Sequence, residues 1–368
     1  MSPQLEVQLI AAVIAAACAI PGVFLVLRRT AMMSDAISHT VLLGIVLGFF
    51  LTRDIESPWL FVGAMLMGVV TVSFVEVISR TQLVKEDTAI GLVFPALFSI
   101  AVILISRFAG NVHLDVDAVL LGEIALAPFD RFMAFGQDWG PRALVIGVII
   151  LLVNLLFVVA FYKELKLTTF DPGLAIALGF SSVLLHYSLM ALVSVTAVGA
   201  FDAVGSILVI ALFIVPPAAA YLLTDRLSHM LGLSILTGVG SAVCGYWMAR
   251  SLDVSISGSM ATMTGVFFAV ALLFAPERGL IAIALRRLRQ RWEFATQMLA
   301  LHLLNHEGTP DAEVESRVET LNEHLHWQTA FTKRVIQLAE QNGLVQRQSD
   351  LLILTDRGRQ VAQQASLS

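Results

Sequence analysis

The chain has 368 residues, of which 57% are hydrophobic and 14% are charged, and its mean hydropathy is +0.83. Soluble domains average about 45 to 50% apolar residues, so this composition excludes an ordinary soluble protein and indicates a polytopic membrane protein. The formal net charge of -5 gives no electrostatic case for nucleic-acid binding.

The order of the apolar runs predicts an all-α membrane region. A transmembrane helix needs about 20 apolar residues, and fewer when it is short or buried in a bundle. Nine runs meet this requirement, at residues 6–27, 36–51, 59–79, 88–106, 143–162, 182–199, 203–222, 229–248 and 257–275. Because the number is odd, we expect the two ends of the chain on opposite sides of the membrane.

Basic residues indicate which side each loop faces. One set of alternate loops carries most of the cations beside the span ends: Arg28, Arg29, Arg80, Lys85, Lys163, Lys166 and Arg226, followed by Arg286, Arg287, Arg289 and Arg291. The other set has fewer, and they are thinly spread. Loops rich in Lys and Arg stay in the cytoplasm. We therefore expect the N-terminus outside and the C-terminal tail in the cytoplasm.

Two polar side chains open the second span, in "MMSDAISHTVLLG". Asp35 and His39 stand four residues apart, so on a helix they share one face with Cβ atoms about 5 to 6 Å apart. A carboxylate near hydrocarbon costs at least about 2.5 kcal/mol and is rare without a partner or a function. Together with an imidazole it suits Mn²⁺, Fe²⁺ or Zn²⁺. Two ligands leave an ion undercoordinated, and a symmetric dimer that meets on this face would supply four.

A purely structural interpretation of the same two residues is open. Asp35 or Ser34 would cap the N-terminus of the second span, and His39 would be a hydrogen-bonded core residue. Spacing alone does not exclude this, since such pairs arise easily by chance.

Weaker candidates for metal ligands lie elsewhere. In the long outer loop "NVHLDVDAVLLGEIALAPFDRF", alternation places His113, Asp115 and Asp117 on one side of an extended chain, with Glu123 further along. A solvated loop face is the competing interpretation, and the loop also favours an interfacial or re-entrant helix. His186 lies within the sixth span, where it faces a pathway or is satisfied by its neighbours.

The long inner loop, "KELKLTTFDPGLAIALGFSS", predicts a short helix on the cytoplasmic face. Asp171-Pro172 starts it and Gly179 stops it. A mostly apolar helix outside the bilayer needs a partner to cover it. The chain has no GxxxxGK phosphate-binding loop, because its four lysines all follow residues other than glycine. If transport is ATP-driven, the ATPase is therefore a separate chain, and this helix is where it would dock.

The tail after Pro276 is polar. Its 92 residues hold 11 of the 23 Lys and Arg and 11 of the 28 Asp and Glu, so the tail is net neutral. We expect an amphipathic basic connecting helix at 277–300. In 301–368 a helix should stop at Gly343, and two strands should turn near Ser349 before a closing helix. This order resembles a small α+β winged-helix domain of metal-responsive repressors.

The sequence of the tail does not indicate a DNA-binding or metal-binding site. Lys333 and Arg334 are the only cations on the expected recognition helix, so a regulatory or assembly module fits better than a DNA-binding one. The histidines of the tail are His302, His306, His324 and His326. Without cysteines or a matching carboxylate pattern, they do not predict a metal-sensing site.

Three motifs in residues 5–276 together resemble one protein family. They are "GVFLVLRRTAMMSDAISHTVLLG", "FDPGLAIALG" and "AVGAFDAVGSILVIALFIVPPAAAYLLTDRL". The region 1–276 is similar to the permease subunits of metal-importing ABC transporters, the manganese, zinc and iron group, and its outer loop looks most like the manganese-associated branch. The resemblance implies a type II ABC importer permease of about nine transmembrane helices in a bacterial inner membrane.

The resemblance also implies roles for residues and partners. Asp35 and His39 would line the pathway and bind the ion in transit, and Pro216-Pro217 would bend the seventh span. The coupling helix to the ATPase would contain Asp171, Pro172, Gly173, Ala175, Ala177 and Gly179. The implied partners are a second permease chain, identical or similar, two cytoplasmic ATPases and an external metal-binding protein. No permanently bound cofactor is implied.

The expected function is ATP-driven import of Mn²⁺, with Zn²⁺ or Fe²⁺ as alternatives, by a chain that is not itself an enzyme. A membrane-tethered metal-responsive regulator with the tail as its output is the alternative from another class, although nine spans are excessive for a tether. A secondary transporter driven by a proton or sodium gradient is the third, and dependence on ATP and an external protein would exclude it.

Overall fold

The computed structural model describes residues 2–54, 57–108, 124–134 and 137–366. The chain divides into two compact units, residues 1–279 and 280–368.

Nine of the helices described in the first unit are long and apolar enough to cross a membrane, which confirms the predicted number of spans. They are α1 (Pro3–Leu27), α2 (Met32–Thr52), α3 (Pro58–Arg80), α4 (Glu86–Phe108), α5 (Arg142–Ala160), α8 (Ser182–Val204), α9 (Ser206–Leu223), α10 (Leu227–Leu252) and α11 (Ile256–Phe274). Two short helices, α6 (Tyr162–Phe170) and α7 (Pro172–Ala177), lie between α5 and α8.

Helix α1 is the centre of the first unit. It packs against α5, α8, α9 and α10, and most of its side chains are buried. Its run "AAVIAAACA" explains this position, because small side chains allow neighbouring helices to approach closely in a membrane protein. A helix that is apolar on all sides belongs in the interior of a bundle.

Hydrogen bonds between buried side chains join the helices. The Asn154 amide of α5 donates to the Ala17 carbonyl of α1 at 2.8 Å and to Thr196 Oγ1 of α8 at 3.0 Å. Thr71 Oγ1 of α3 lies 2.7 Å from Thr40 Oγ1 of α2. Interhelical hydrogen bonds of this kind contribute about 0.6 kcal/mol each in a membrane protein. They also fix which faces of the helices meet, because each buried polar atom needs its partner.

Glycines bring α2 and α3 into backbone contact. A Cβ atom at Gly44 would collide with the Gly63 carbonyl, and one at Gly63 would collide with the Gly44 carbonyl. One turn further along α2, a Cβ at Gly48 would lie only 3.0 Å from the backbone of Leu60. The α2–α3 contact is the most extensive between any two described helices, and it depends on the absence of side chains here.

The outer loop ends in a hairpin over the start of α1. Strand β1 (Arg131–Ala134) pairs with β2 (Gln137–Pro141) in antiparallel fashion. The Arg131 guanidinium donates to buried Glu6 at 3.1 Å and to Asp138 at 2.7 Å. The predicted interfacial helix lies mostly in 109–123, outside the described residues. From residue 124 to 132 the structure has one 3-10 turn (Ala127–Phe129) and the start of β1, so no helix extends into this part.

The second unit has the order helix, hairpin, helix near its end, as the sequence predicts. Its elements are α12 (Leu280–His306), α13 (Ala312–Glu315), α14 (Leu321–His324), α15 (Thr329–Gln341), β3 (Val345–Gln348), β4 (Leu351–Leu354) and α16 (Asp356–Ser366). Gly343 follows α15 with φ of 69°, and Ser349 turns the hairpin with φ of 57°. Helix α12 runs unbroken across residue 300. Its buried side chains, including Leu299 and Leu303, form one core with Val335 and Ile336 of α15.

Gly44→Ala should destabilise the first unit, because the added methyl group pushes α2 away from the α3 backbone. Overpacking of this kind costs about 1 to 3 kcal/mol. Gly91→Ala in α4 is the matched control, since a Cβ there meets no atom within 4 Å. The measurement is thermal denaturation of the purified chain in detergent, monitored by the loss of monodisperse protein. The midpoint temperature should be lower for Gly44→Ala only. Equal midpoints for the two variants would contradict the assigned contact.

Candidate functional site

Asp35 and His39 lie one above the other in the first two turns of α2. The His39 Nε2 atom is 3.4 Å from Asp35 Oδ1. The side chains of His39 and Asp35 are 31% and 27% exposed, whereas the intervening Ala36, Ile37 and Ser38 are buried. The polar pair thus occupies one open stripe of a helix whose other faces are packed. An imidazole and a carboxylate at this distance can bind the same divalent ion.

The structural interpretation of Asp35 and Ser34 as helix caps does not agree with the geometry. Helix α2 has Ala31 at its N-cap position, and no side chain caps it. The Ser34 hydroxyl donates to the Ala31 carbonyl at 2.8 Å, which is the opposite role to that of a capping acceptor. Asp35 thus lies in the first turn of α2 without capping it, and its carboxylate lies beside His39.

Two phenylalanines of α4 position the His39 ring. Phe94 stacks on it with ring centroids 5.4 Å apart, and Phe98 meets it edge-on at 6.0 Å. Stacking fixes the plane of an imidazole while leaving its nitrogen atoms free to bind other groups. Sequence reasoning missed both phenylalanines. They stand four apart around a proline in "VFPALF", but nothing in this stretch indicates a contact with His39.

His186 lies near a different feature, a cavity of about 640 Å³ at the end of the bundle where α1 ends and α2 begins. Described residues that line this cavity include Arg28, Met33, Glu76, Arg80, Thr168 and His186, but neither Asp35 nor His39. The ring of His186 is half-buried and makes an edge contact with Tyr187. The structure therefore does not bring His186 into direct contact with the pair.

The outer-loop candidates His113, Asp115, Asp117 and Glu123 lie outside the described residues. They stay predictions from the sequence.

The inner segment from Asp171 to Gly179 forms a short, exposed helix. The Asp171 carboxylate caps α7 by accepting a hydrogen bond from the Leu174 amide at 2.9 Å, and Pro172 occupies the first turn. Gly179 ends the segment with φ of 85°, a conformation that favours glycine. Of the residues in α7 only Ala175 is buried.

Large apolar side chains of this segment are exposed. Leu174 is 46% exposed and Ile176 is 65% exposed. Leu178 and Phe180 are also exposed. Gly173, Ala177 and Gly179 leave the backbone between them accessible. An exposed apolar surface of this kind, with small residues between the large ones, is suited to pack into a groove on a partner protein.

Arg28 joins the inner segment to the end of α1. Its Nε atom donates to Thr169 Oγ1 at 3.1 Å, and Nη2 donates to Thr168 Oγ1 at 3.0 Å, both in α6. Burial lowers the pKa of the Arg28 guanidinium, although arginine keeps its charge at neutral pH. In the sequence, Arg28 indicates only the orientation of the chain in the membrane. Nothing in the local sequence pairs it with residues 140 positions away, so this contact required the structure.

The Pro216-Pro217 pair lies inside α9 and is buried. Proline removes a backbone N–H donor and leaves carbonyl groups of the preceding turn without their helical partners. Thr237 Oγ1 of α10 lies 3.5 Å from the Pro216 carbonyl and 2.8 Å from its own helix at Leu233. Thr237 therefore bonds mainly within α10 and only approaches α9 at the proline pair.

Comparison with known proteins places the geometry in context. The chain is 50% identical over 361 residues to the zinc transport system membrane protein TroD of Treponema pallidum, covering 98% of both chains. It is 49% identical over 278 residues to the manganese transport system membrane protein MntD of Bacillus subtilis, covering 76% of this chain and 94% of the relative. The first match therefore continues through the second unit.

A solved structure has the same fold as the first unit. PsaBC from Streptococcus pneumoniae, determined in complex with Fab, superposes with a TM-score of 0.63 at 29% identity, covering 76% of this chain and 94% of that one. The model of the ABC 3 transport family matches residues 4–275. This range includes the nine candidate spans apart from Pro3 of α1, and also the Asp35–His39 pair and helix α7. The chain belongs to the ABC 3 transport family and is the membrane-spanning permease of an ABC transporter, whose ATPase activity resides in a separate subunit.

Proposed function

We propose that the chain forms the membrane pathway of an importer for a divalent transition-metal ion, with Mn²⁺ as the first candidate. The observation that carries this proposal is the Asp35–His39 pair. It places an imidazole nitrogen 3.4 Å from a carboxylate oxygen on a partly exposed stripe of a membrane helix. Ionisable side chains are rare in membrane helices, and where they occur they commonly mark the path of an ion.

The openness of the pair supports transport rather than permanent binding. Two ligands from one chain hold an ion loosely, and a transport site must release its ion. A second permease chain, identical or similar, that meets this one on the α2 stripe would supply two more ligands. The resulting set of two carboxylates and two imidazoles would bind an ion well enough to select it while leaving positions for water or for exchange.

Zn²⁺ is the second candidate, and Fe²⁺ shares the same donor chemistry. Oxygen and imidazole donors accept all three ions, and affinity at such sites generally rises from Mn²⁺ through Fe²⁺ to Zn²⁺. The relatives support both leading candidates, because the one that matches 98% of this chain is named for zinc and the one from Bacillus subtilis for manganese.

The energy for transport would come from two cytoplasmic ATPase subunits bound at helix α7. The exposed Leu174 and Ile176 supply the apolar contact, and Asp171 fixes the start of the helix through the Leu174 amide. In the proposed orientation the N-terminus is outside, so α7 and the second unit are cytoplasmic. An external binding protein would deliver the ion to the opposite side.

The second unit would be a winged-helix-like module that assists assembly or regulation. In this proposal residues 1–276 are the permease, 277–300 connect it and 301–368 form the module. The hairpin after α15 supports the likeness, and the few cations on that helix argue against DNA binding. The alternative of a tethered transcription regulator is not supported, because the relatives are membrane proteins of transport systems.

Asp35→Ala and His39→Ala should each reduce uptake of radiolabelled Mn²⁺ by cells that express the chain with its partner subunits. Loss of one ligand from each of two chains should lower uptake by at least about 10-fold, because even indirect partners of metal ligands contribute 10- to 100-fold. The control is His229→Ala, an exposed histidine in the first turn of α10. Competition with Zn²⁺ and Fe²⁺ ranks the ions. Normal uptake in both variants at matched expression would refute the assigned site.

Ile176→Asp should prevent the ATPase from binding. A carboxylate on an apolar contact must be desolvated, which is strongly unfavourable without a partner charge. The expected result is loss of the ATPase subunit on co-purification and loss of uptake. Leu51→Asp is the matched control, because Leu51 is 86% exposed at the other end of α2, on the proposed outer side. Retention of the ATPase by Ile176→Asp would show that it docks elsewhere.

Arg28→Lys should uncouple ATPase binding from uptake. Lysine keeps the charge but cannot donate to Thr168 and Thr169 from two fixed nitrogens, as arginine does. Loss of a charge-assisted hydrogen bond costs about 1.5 to 3 kcal/mol, which corresponds to a roughly 10-fold or greater fall in uptake. The ATPase should still co-purify. Arg29→Lys, at the exposed neighbouring position, should transport normally. Equal uptake by both variants would exclude a coupling role for Arg28.

A further inference from the structure

Histidine and glutamate side chains gather in the second unit where α12, α13 and α14 meet. His302 and His306 lie one turn apart at the end of α12, Glu315 is the last residue of α13 and His324 is the last residue of α14. Three of these residues, His302, His306 and Glu315, each have a donor atom within 4.8 Å of a donor atom of the other two. The chain thus brings together residues from three separate segments.

The distances match those between ligands of a single ion. Glu315 Oε2 is 3.3 Å from His302 Nε2 and 3.2 Å from His324 Nδ1. Around a tetrahedral Zn²⁺ with bonds of about 2.0 to 2.1 Å, neighbouring donor atoms stand about 3.3 Å apart. The ring centroid of His302 is 4.8 Å from that of His306 and 6.3 Å from that of His324.

One oxygen of the carboxylate in the middle of this group, Glu315 Oε2, lacks a hydrogen bond. Glu315 Oε2 is buried and has no hydrogen-bond partner among the described residues, although two imidazole nitrogens lie beside it. The side chains of Glu315 and His302 are only 15% and 12% exposed. A buried polar atom without a partner destabilises the fold, and a charged one does so more strongly. A cation between the oxygen and the ring nitrogens would remove this destabilisation.

A structural role explains only part of the arrangement. His302 Nε2 also lies 3.3 Å from the Glu315 backbone carbonyl, so a proton on this nitrogen would hold α13 against α12. That hydrogen bond does not account for His306, nor for the approach of His324 to the same carboxylate oxygen. Both are explained if the four side chains share an ion.

We propose that His302, His306, Glu315 and His324 bind one divalent transition-metal ion of the Zn²⁺ class. Three imidazole nitrogens and one carboxylate oxygen are ligands that Zn²⁺ favours, whereas Mn²⁺ prefers oxygen-rich sites and binds nitrogen donors more weakly. This site is distinct from Asp35–His39 and does not depend on which ion is transported. Because the ligands come from three segments, the bound ion stabilises the second unit.

The test uses the full chain in detergent, stripped of metal, with Asp35→Ala and His39→Ala to remove the other candidate site. Equilibrium dialysis against Zn²⁺ should show one ion per chain. His306→Ala and Glu315→Gln should each weaken binding by at least about 10-fold, since even indirect partners of ligands contribute that much. Glu340→Gln, which changes an exposed carboxylate on α15, is the matched control and should bind normally. Mn²⁺ should bind more weakly than Zn²⁺.

A second readout separates metal binding from a structural role. Zn²⁺ should raise the thermal midpoint of the parent chain and of Glu340→Gln, but not that of His306→Ala, whose half-buried ring can be removed with little loss of packing. If the variants lower the midpoint equally with and without Zn²⁺, or if all chains bind Zn²⁺ alike, the proposal is wrong. Tighter binding of Mn²⁺ than of Zn²⁺ would overturn the assigned class of ion.

Discussion

Helices α2 and α3 meet where Gly44 and Gly63 bring their backbones together, and the position of the Asp35–His39 pair follows from this contact. Two helices without side chains between them can approach only in one register, because sliding would place larger groups opposite each other. The Thr40–Thr71 hydrogen bond lies on the same interface and closer to the pair. One side of α2 packs against α3. Asp35 and His39 lie on another side, where they stay partly exposed and His39 contacts α4.

The two proposed histidine sites of the chain differ in how they would bind an ion. His39 has one carboxylate partner, and both side chains are partly exposed, so the pair is incomplete within a single chain. The group around Glu315 offers four donors from one chain, and its carboxylate is mostly buried. An incomplete, open site favours exchange, whereas a complete set of protein ligands favours retention. The proposed roles of transport and stabilisation follow this difference in donor number and burial.

Much of the first unit could be predicted because hydrophobicity is a local property. The nine spans, the Asp171-Pro172 helix start and the turn at Gly179 all follow from short stretches of sequence. The contacts of Phe94 with His39 and of Arg28 with Thr168 could not be predicted, because they join helices distant in the chain. The outer hairpin was missed for a related reason: four- and five-residue strands carry too few positions for a clear alternation.

The second unit shows the same limit for ligands. His302 and His306 have a recognisable spacing, but Glu315 and His324 join them only through the fold of α13 and α14. A sequence motif defined by a carboxylate at a fixed distance from the histidines therefore does not identify these four residues as a metal site.

Arg28 indicates how movement at the ATPase surface could reach the candidate ion site. It contacts Thr168 and Thr169 at the end of α6, immediately before the Asp171 cap of α7. Arg28 also follows the last residue of α1 and precedes α2, and only seven positions separate it from Asp35. Displacement of α7 by a bound ATPase would thus act on the short connection that leads into the helix carrying the ligands. Since α2 is held to α3 by backbone contact, such a displacement would move the two helices together. The pair would then shift relative to α4 and its phenylalanines rather than deform within α2.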